Sequence, residues 1–224
     1  MFFSLKQIIF LLLLLSVNSG VRSQSTATFT IQPDGISPQI LTVKKHSKGY
    51  FLAGTTDGLY RFDGNIFTAY TFAKAIKNKA VTAIAEDKQI IWLGFKNGEI
   101  GILKNKTVEL LNAEEGHPAV AITSIVADTA GIVYFATAGE GIYYYKKKRF
   151  YNVNTDDGLS DNYVYQILLN NTGIIACTDK GINTLNIKGA KKEVHFFTSA
   201  NGLPDNIVRC LYPVGKKTSP DKGY

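Results

Sequence analysis

The residues of this chain best suited to acid–base or metal chemistry are three histidines, His46, His117 and His195, and each stands alone in the sequence. Neither His-x-x-x-His nor Cys-x-x-Cys, the close spacings that hold metals, occurs. A Gly-x-Ser-x-Gly nucleophile motif and a phosphate-binding glycine loop are also absent. The stretch AEEGH (113–117) puts two carboxylates beside a histidine, but a solvated turn between repeats is the expected reading. We therefore predict no catalytic residue, no metal and no cofactor, while carboxylates paired by folding for glycoside hydrolysis stay open.

A repeated tight turn shows which elements position the polar residues. GTTDGLYRFDGN (54–65) consists of two apolar, aromatic-rich runs joined by a turn, because Asp-Gly is a strong hairpin signal. Similar turns end at glycines spaced by 40, 43 and 40 residues, namely Gly58, Gly98, Gly141 and Gly181. A small residue lies four positions before each: Gly54, Gly94, Thr137 and Cys177. Apolar pairs keep the same step: Ile40/Val43, Val81/Ile84, Ile122/Ile125, Val164/Ile167 and Val208/Leu211. Two landmarks with one period predict a repeat protein.

Each repeat contains four short apolar runs, which predict strands. The runs are rich in Ile, Val, Tyr and Phe, whereas helical repeats need apolar residues at i, i+3, i+4 and i+7. Four antiparallel strands in such a repeat are typical of a β-propeller blade. A β-sandwich is the alternative, but it gives no reason for the recurring glycine. We predict an all-β, open and incomplete ring whose first strands are innermost, with blades near 29–72, 73–112, 113–153 and 154–198 and a partial fifth over 199–224.

The N-terminal segment predicts export. Residues 1–23 contain Lys6, an apolar stretch from Ile8 to Val17 and then small and polar residues, which is typical of a signal peptide. The stretch is shorter than the roughly 20 apolar residues that span a bilayer. Residues 24–224 are thus expected to be periplasmic or otherwise extracytoplasmic. Without residues 1–23 the formal charge falls from +7 to +5. A nucleic-acid partner would require a compartment that contains nucleic acid and a basic stripe interleaved with aromatic residues, so the export signal argues against one.

The two cysteines, Cys177 and Cys210, lie in predicted strands of neighbouring repeats. Export permits a disulfide, but the sequence does not require their Cα atoms to be close enough for one. Cys177 stands where other repeats have glycine or threonine, which suits a small buried residue. We favour two buried free thiols over a bridge.

The run into the first strand of several repeats carries a resemblance to a known family. It reads FTIQPDGISPQILTV (29–43), FYNVNTDDGLSDNYVYQIL (150–168) and FFTSANGLPDNIVRCL (196–211), while the second and third repeats lack its glycine. DGLSDNYVYQILLNNTGIIACTDKGINTLNI and GTTDGLYRFDGNIF resemble the two-component regulator propeller repeat, and IWLGFKNGEIGIL is similar, with Trp92. That repeat forms the exported sensor region of hybrid and ordinary histidine kinases, particularly in Bacteroidetes-type bacteria. The resemblance covers about residues 29–213.

The resemblance implies a periplasmic ligand-binding sensor module of a two-component system, with a small molecule or an oligosaccharide as its ligand. In such relatives further blades, an immunoglobulin-like module, a helix in the inner membrane and a cytoplasmic kinase follow, and a homodimer is expected for the full-length sensor. We expect this chain to be the N-terminal part of such a sensor, with the C-terminal blades and the signalling domains as partners. Two alternatives are an exported propeller lyase or glycosidase acting on glycans, and a structural propeller at the surface or in secretion.

We expect a ligand to contact the face that carries the repeated turns. With first strands innermost, the loop leading into each first strand and the turn between the second and third strands share one face around the central axis, where a concave polar site forms. The predicted turn residues are Thr56, Asp57, Lys96, Asn97, Glu140, Asp179 and Lys180; the predicted loop residues are Lys77, Asn78, Asp161, Asn162, Asp205 and Asn206. Their polar groups suit sugar hydroxyls or a carboxylate. The alternative is that Asp and Asn occupy turns for backbone reasons alone.

Overall fold

A computed structural model describes residues 31, 38–74, 76, 78–111, 116–188 and 191–213. The predicted signal peptide, Lys77 and the carboxylates of AEEGH lie outside these residues. Within the unit from Ile31 to Tyr224, the described chain forms strands and two short 3₁₀ turns, Thr155–Asp157 and Ser199–Asn201. The strands are short because Gly, Asn, Asp and Lys interrupt each β-branched or aromatic run.

The strands form four sheets, each built on a meander of four antiparallel strands. Blade 1 contains β1 (Ile40–Lys45), β2 (Phe51–Thr55), β3 (Gly58–Phe62) and β4 (Phe67–Ala69), after which β5 (Thr71–Phe72) follows. Blade 2 contains β6 (Val81–Asp87), β7 (Ile90–Phe95), β8 (Ile100–Lys104) and β9 (Thr107–Leu110). Blade 3 contains β10 (Ile122–Ala127), β11 (Val133–Thr137), β12 (Ile142–Lys146) and β13 (Arg149–Val153). Blade 4 contains β14 (Val164–Asn170), β15 (Gly173–Thr178), β16 (Gly181–Lys188) and β17 (Lys191–Phe197).

The first strand of each blade is innermost, as predicted. β1 contacts β6, β6 contacts β10, and β10 contacts β14, so neighbouring blades meet through their first strands. Two threonine hydroxyls join these strands directly: Thr82 donates to the carbonyl of Ile122 (2.6 Å) and Thr123 to that of Val164 (2.5 Å). The fold is thus an all-β arc of propeller blades. In the described residues no strand of blade 4 pairs with blade 1, so the ring of blades is open.

The hydrophobic core lies between blades. Leu52 and Leu59 of blade 1 pack with Val81 and Leu93 of blade 2. Equivalent clusters join blade 2 to blade 3 and blade 3 to blade 4. The central strand β11 is therefore buried at every position, since both of its faces meet apolar neighbours. Each fully buried aliphatic or aromatic side chain contributes about 1.5–3 kcal/mol, so a blade depends on its neighbours for stability.

The strand pairings correct one landmark of the sequence pattern. The small residue of each blade lies one position before the end of the second strand and pairs with the second residue after the hairpin turn. In blades 1, 2 and 4 this residue is Gly54, Gly94 or Cys177, as the sequence pattern predicts. In blade 3 it is Ala136, which pairs with Ile142, and not Thr137. Counting four residues back from the turn glycine gives Thr137, because in blade 3 this glycine, Gly141, follows a turn of three residues, whereas Gly58 and Gly181 follow turns of two. The small residue allows close packing: a Cβ added to Gly94 would lie 2.5 Å from the side chain of Ile122.

Two further observations differ from the sequence pattern. β5 pairs in parallel with β9, so Thr71–Phe72, which the predicted boundary put in the first blade, extends the sheet of blade 2. Both cysteines are free thiols, and Cys177 is buried, but Cys210 is exposed rather than buried. It is exposed because residues 203–213 follow the last sheet without pairing as a strand of it.

Candidate functional site

The repeated turns and the loops that lead into the first strands lie together at one end of the blades. In blade 1 the amide of Thr56 donates to Gln39 O (3.0 Å), which joins the turn to the loop of its own blade. In blade 3 the amide of Gly141 donates to Asn162 O (2.8 Å), which joins the turn to the loop of the next blade. Gly181 repeats this contact with Asn206 O (2.6 Å). We call this end the turn face and these loops the lead-in loops.

Buried threonines hold three of the turns in place. Thr55, Thr137 and Thr178 are fully buried, and their hydroxyls donate to the carbonyls of the turn glycines at 2.8–3.0 Å, namely Gly58, Gly141 and Gly181. Each hydroxyl also accepts from a turn amide at 3.0–3.1 Å, that of Asp57, Glu140 or Lys180. Asp57 has no positive φ and Gly58 does, at +130°, so the turn is not the Asp-Gly type that the sequence suggested. A threonine ending the second strand is the signal that sequence reasoning missed.

Four of the predicted site residues shape the lead-in loops of blade 4 and of the segment after it. Oδ1 of Asn162 accepts from the amide of Thr155 (2.9 Å), and Oδ1 of Asn206 accepts from that of Ser199 (2.7 Å). Asp161 and Asp205 each accept from the amide two residues later, at 2.7 and 3.0 Å. Aspartate and asparagine commonly cap turns in this way. The two asparagines are thus engaged by the backbone, and each aspartate keeps one oxygen beyond this bond.

Glu140 ties the turn of blade 3 to its surroundings. Its Oε2 accepts from the amide of Ala119 (3.1 Å) and from the hydroxyl of Tyr143 (3.0 Å). Burial, together with the Glu140 carboxylate, raises the pKa of Tyr143 to about 12. The Glu140 carboxylate therefore has a structural role, and a ligand that bound it would compete with these hydrogen bonds.

The predicted residues of blades 1 and 2 are more open to solvent. The exposed Asp57 lies 4.0 Å from the ammonium of Lys79, and such surface pairs contribute about 0–1 kcal/mol. Thr56 and Asn97 accept from nearby backbone amides, and Asn78 does the same. Lys96 is exposed, and no hydrogen bond of its side chain is found among the described residues. These residues share the turn face but do not converge on one another.

Blade 4 brings three predicted residues together with three that sequence reasoning missed. The predicted residues are Asp161, Asp179 and Lys180; the others are Tyr163, Tyr165 and Arg209. We call these six the blade 4 cluster. A signal for the missed residues is visible in the runs SDNYVY and DNIVR, where aromatic or basic residues directly follow the lead-in loops.

The blade 4 cluster is joined by direct contacts. The Tyr165 hydroxyl donates to Oδ1 of Asp179 (2.7 Å), and Nζ of Lys180 lies 3.2 Å from Oδ2 of Asp161. The rings of Tyr163 and Tyr165 have centroids 4.8 Å apart. The hydrogen bond to Asp179 raises the pKa of Tyr165 above its ordinary value.

The guanidinium of Arg209 lies 5.7 Å from the centre of the Tyr165 ring, within the range of a cation–π contact. Tyr163 is 38 % exposed and Arg209 is exposed. The cluster therefore offers an aromatic surface between carboxylates and two cations at the turn face. Such a combination suits a polar ligand with an apolar face, such as a sugar ring.

The histidines are less isolated than the sequence suggested. Nδ1 of His46 lies 3.5 Å from Oε1 of Glu86, forty residues away, and the adjacent Ser47 bonds to the same carboxylate. This is not a nucleophile–base–acid relay, because Glu86 binds the serine directly and Nδ1 accepts from the amide of Lys48 (3.0 Å). His117 contacts the neighbouring carbonyl of Pro118, and His195 is exposed on β17.

Neither a metal site nor a membrane-spanning helix is found among the described residues. No group of three or more His, Cys, Asp or Glu side chains in this part of the chain is arranged to hold a metal ion. No helix within the same residues has the length and apolar character needed to cross a membrane.

The fold resembles several solved structures. The extracellular domain of the hybrid two-component system BT3049 from B. thetaiotaomicron matches with a TM-score of 0.67 and 20% identity, over 84% of this chain and 27% of that chain. The corresponding domain of BT4673 from the same organism matches with a TM-score of 0.59 and 20% identity, over 74% of this chain and 25% of that chain. The chain thus spans about a quarter of the length of these two structures.

A third similar structure is an enzyme. Virginiamycin B lyase from Staphylococcus aureus matches with a TM-score of 0.55 and 13% identity, over 69% of this chain and 54% of that chain. No protein-family model and no curated protein sequence matches the chain. These likenesses establish the propeller fold, and the structures of the two-component systems match the family that the sequence resembles. Since one fold carries different functions, they do not decide what this chain does.

Proposed function

We propose that this chain is an exported ligand-binding sensor module of a two-component signalling system, located in the periplasm. The observation that carries the proposal is the agreement between the repeat signature and the fold. The signature resembles the regulator propeller repeat, and the extracellular domains of two hybrid two-component systems have a similar fold over the matched part. The segment 1–23 supports export independently of the fold.

In this proposal the chain belongs to a larger sensor. Blades beyond this chain complete the propeller, and downstream domains pass the signal to a histidine kinase in the inner membrane. The chain itself recognises the ligand and has no catalytic role.

We propose an oligosaccharide as the ligand and the blade 4 cluster as its main contact. The exposed ring of Tyr163 beside Tyr165 provides a surface for the apolar face of a sugar. Tyr165 bonds to Oδ1 of Asp179, so Oδ2 of Asp179 can accept from a sugar hydroxyl, and Arg209 can donate to one. The other predicted residues on the turn face would contact a longer ligand at its ends.

The proposal is tested by isothermal titration of the chain with a panel of neutral and uronic-acid oligosaccharides of four to six sugar units. One class of glycan is expected to bind. Tyr165→Ala should weaken this binding by about tenfold, which corresponds to about 1.4 kcal/mol. Tyr212→Ala is the matched control, because Tyr212 is 87 % exposed outside the cluster.

Three outcomes would contradict the proposal in different ways. Equal affinities of wild type and Tyr165→Ala for the glycan would show that the blade 4 cluster does not contact it. Absence of binding across the panel would reject the oligosaccharide. Shortened or unsaturated sugars in the reaction mixture, detected by mass spectrometry, would favour a glycan-degrading enzyme instead.

A further inference from the structure

A surface cavity lies at the end of blades 1 and 2 that is opposite the turn face. β1 and β6 both start from lead-in loops and run away from the turn face, and the cavity is formed where they end. It is a shallow depression of about 440 Å³ that is widely open to solvent, and it is lined by Lys44, Lys45, His46, Ser47, Glu86 and Lys88. We call it the basic cavity. None of these residues belongs to the proposed oligosaccharide site.

The carboxylate in the basic cavity is already engaged by the protein. Glu86 accepts from the amide (2.9 Å) and the hydroxyl (2.5 Å) of Ser47, and His46 lies beside it. Burial raises the pKa of Glu86, but these hydrogen bonds and the nearby His46 and Lys44 outweigh burial and lower that pKa below its ordinary value. Glu86 is therefore ionised at neutral pH and holds the loop that follows β1.

The lysines of the basic cavity are exposed. No ion pair of Lys44, Lys45 or Lys88 is found within the part of the chain that the structure describes, although Lys44 is near enough to Glu86 to lower the pKa of that carboxyl. Three lysines and one engaged carboxylate line the cavity, which gives it an excess of positive charge.

We infer that the basic cavity binds a tetrahedral oxyanion, either a sulfate or a phosphate group carried by a ligand. Lysine ammonium groups act as compact, strongly charged donors and bind such anions without requiring one fixed geometry. Three cations around one cavity suit a dianion better than a single carboxylate, because the attraction grows with the charge of the anion. The site is separate from the blade 4 cluster and does not depend on the proposed function.

The inference is tested on the full chain by NMR titration of backbone amides with inorganic sulfate, inorganic phosphate and acetate. Ionic strength is kept constant with sodium chloride, so that general screening does not change. Sulfate or phosphate is expected to give saturable shifts at Ser47, Lys48 and Lys88. Acetate should bind at least about tenfold more weakly. The stronger of sulfate and phosphate identifies the group that the ligand carries.

Paired variants distinguish a site from general positive charge. Lys45→Gln combined with Lys88→Gln should weaken binding by tenfold or more, since each charged hydrogen bond contributes about tenfold. The control combines Lys104→Gln with Lys147→Gln, which likewise removes one lysine at the end of a strand and one at positive φ. The control should keep the wild-type affinity, and circular dichroism checks that both variants fold. Three results would overturn the inference: shifts that do not saturate, equal shifts in the two double variants, or equal shifts with acetate.

Discussion

Asn183 is expected to be one of the most important polar residues for the stability of blade 4. It is fully buried on β16, and its side chain connects the lead-in loop to the sheet. Its Oδ1 accepts from the amide of Ser160 (2.9 Å), and its Nδ2 donates to the hydroxyl of Ser160 (2.7 Å). A longer contact joins Nδ2 to the hydroxyl of Thr178 (3.4 Å), which itself holds the turn.

Replacing Asn183 with alanine should lower the free energy of unfolding by about 3 kcal/mol. Two short hydrogen bonds are lost, at about 1 kcal/mol each, and Ser160 keeps a partly buried amide without its partner, which costs about 1–3 kcal/mol more. Water can reach part of this site, because Ser160 is only partly buried, so we take the lower end of that range. For a chain of this size the melting temperature should fall by about 6–12 °C.

Urea unfolding followed by far-UV circular dichroism measures this change, and the fluorescence of the single tryptophan, Trp92, reports on blade 2. Asn186→Ala is the matched control, because Asn186 is a partly buried asparagine on the same strand with no side-chain hydrogen bond found in the described structure. If Asn183→Ala and Asn186→Ala differ by less than about 0.5 kcal/mol, the buried network does not stabilise the blade and the reasoning fails. If only circular dichroism detects the loss, blade 4 unfolds separately from blade 2.

Two further predictions concern the turns and the loop after β1. Lys147 and Lys148 have φ of +50° and +65° in the turn between β12 and β13. Asn-Gly suits such a turn, so Lys147→Asn with Lys148→Gly should raise the free energy of unfolding by about 1–2 kcal/mol in urea titrations. The control variant Lys147→Gln with Lys148→Gln removes the same charges and should leave the free energy of unfolding unchanged. Because the pKa of Glu86 is lowered by folding, its contribution to stability is present above its unfolded value, near 4.5, and is lost as the pH falls below it. As the pH is lowered from about 6 to about 3, the melting temperature should therefore fall less steeply for Glu86→Gln than for wild type. Parallel pH profiles of the two melting temperatures would contradict this role of Glu86.

The repeat and its strands could be predicted from the sequence because they depend on local patterns. In the last full repeat, each of the four apolar runs coincides with a strand to within two residues at either end: VYQILL (164–169), IIACT (174–178), INTLNI (182–187) and EVHFF (193–197). Alternating burial and turn residues act over a few positions, so they are visible without the fold. The predicted blade boundaries and the role of the turn-face residues in ligand binding remain predictions.

Tertiary structure alone determined which polar residues meet. The sequence placed Asp179 and Asp161 on one face, but it did not reveal that Tyr165 would bond to the first or that Arg209 would lie over the Tyr165 ring. Nor did it bring His46 to Glu86, since those residues belong to different blades. Such contacts depend on the stagger between strands and on the angle between blades, which arise from packing between sheets and leave no local pattern in the chain. The turn of blade 3 illustrates the same limit: one extra residue moved Thr137 out of the small-residue position, and only the pairing of Ala136 with Ile142 revealed it.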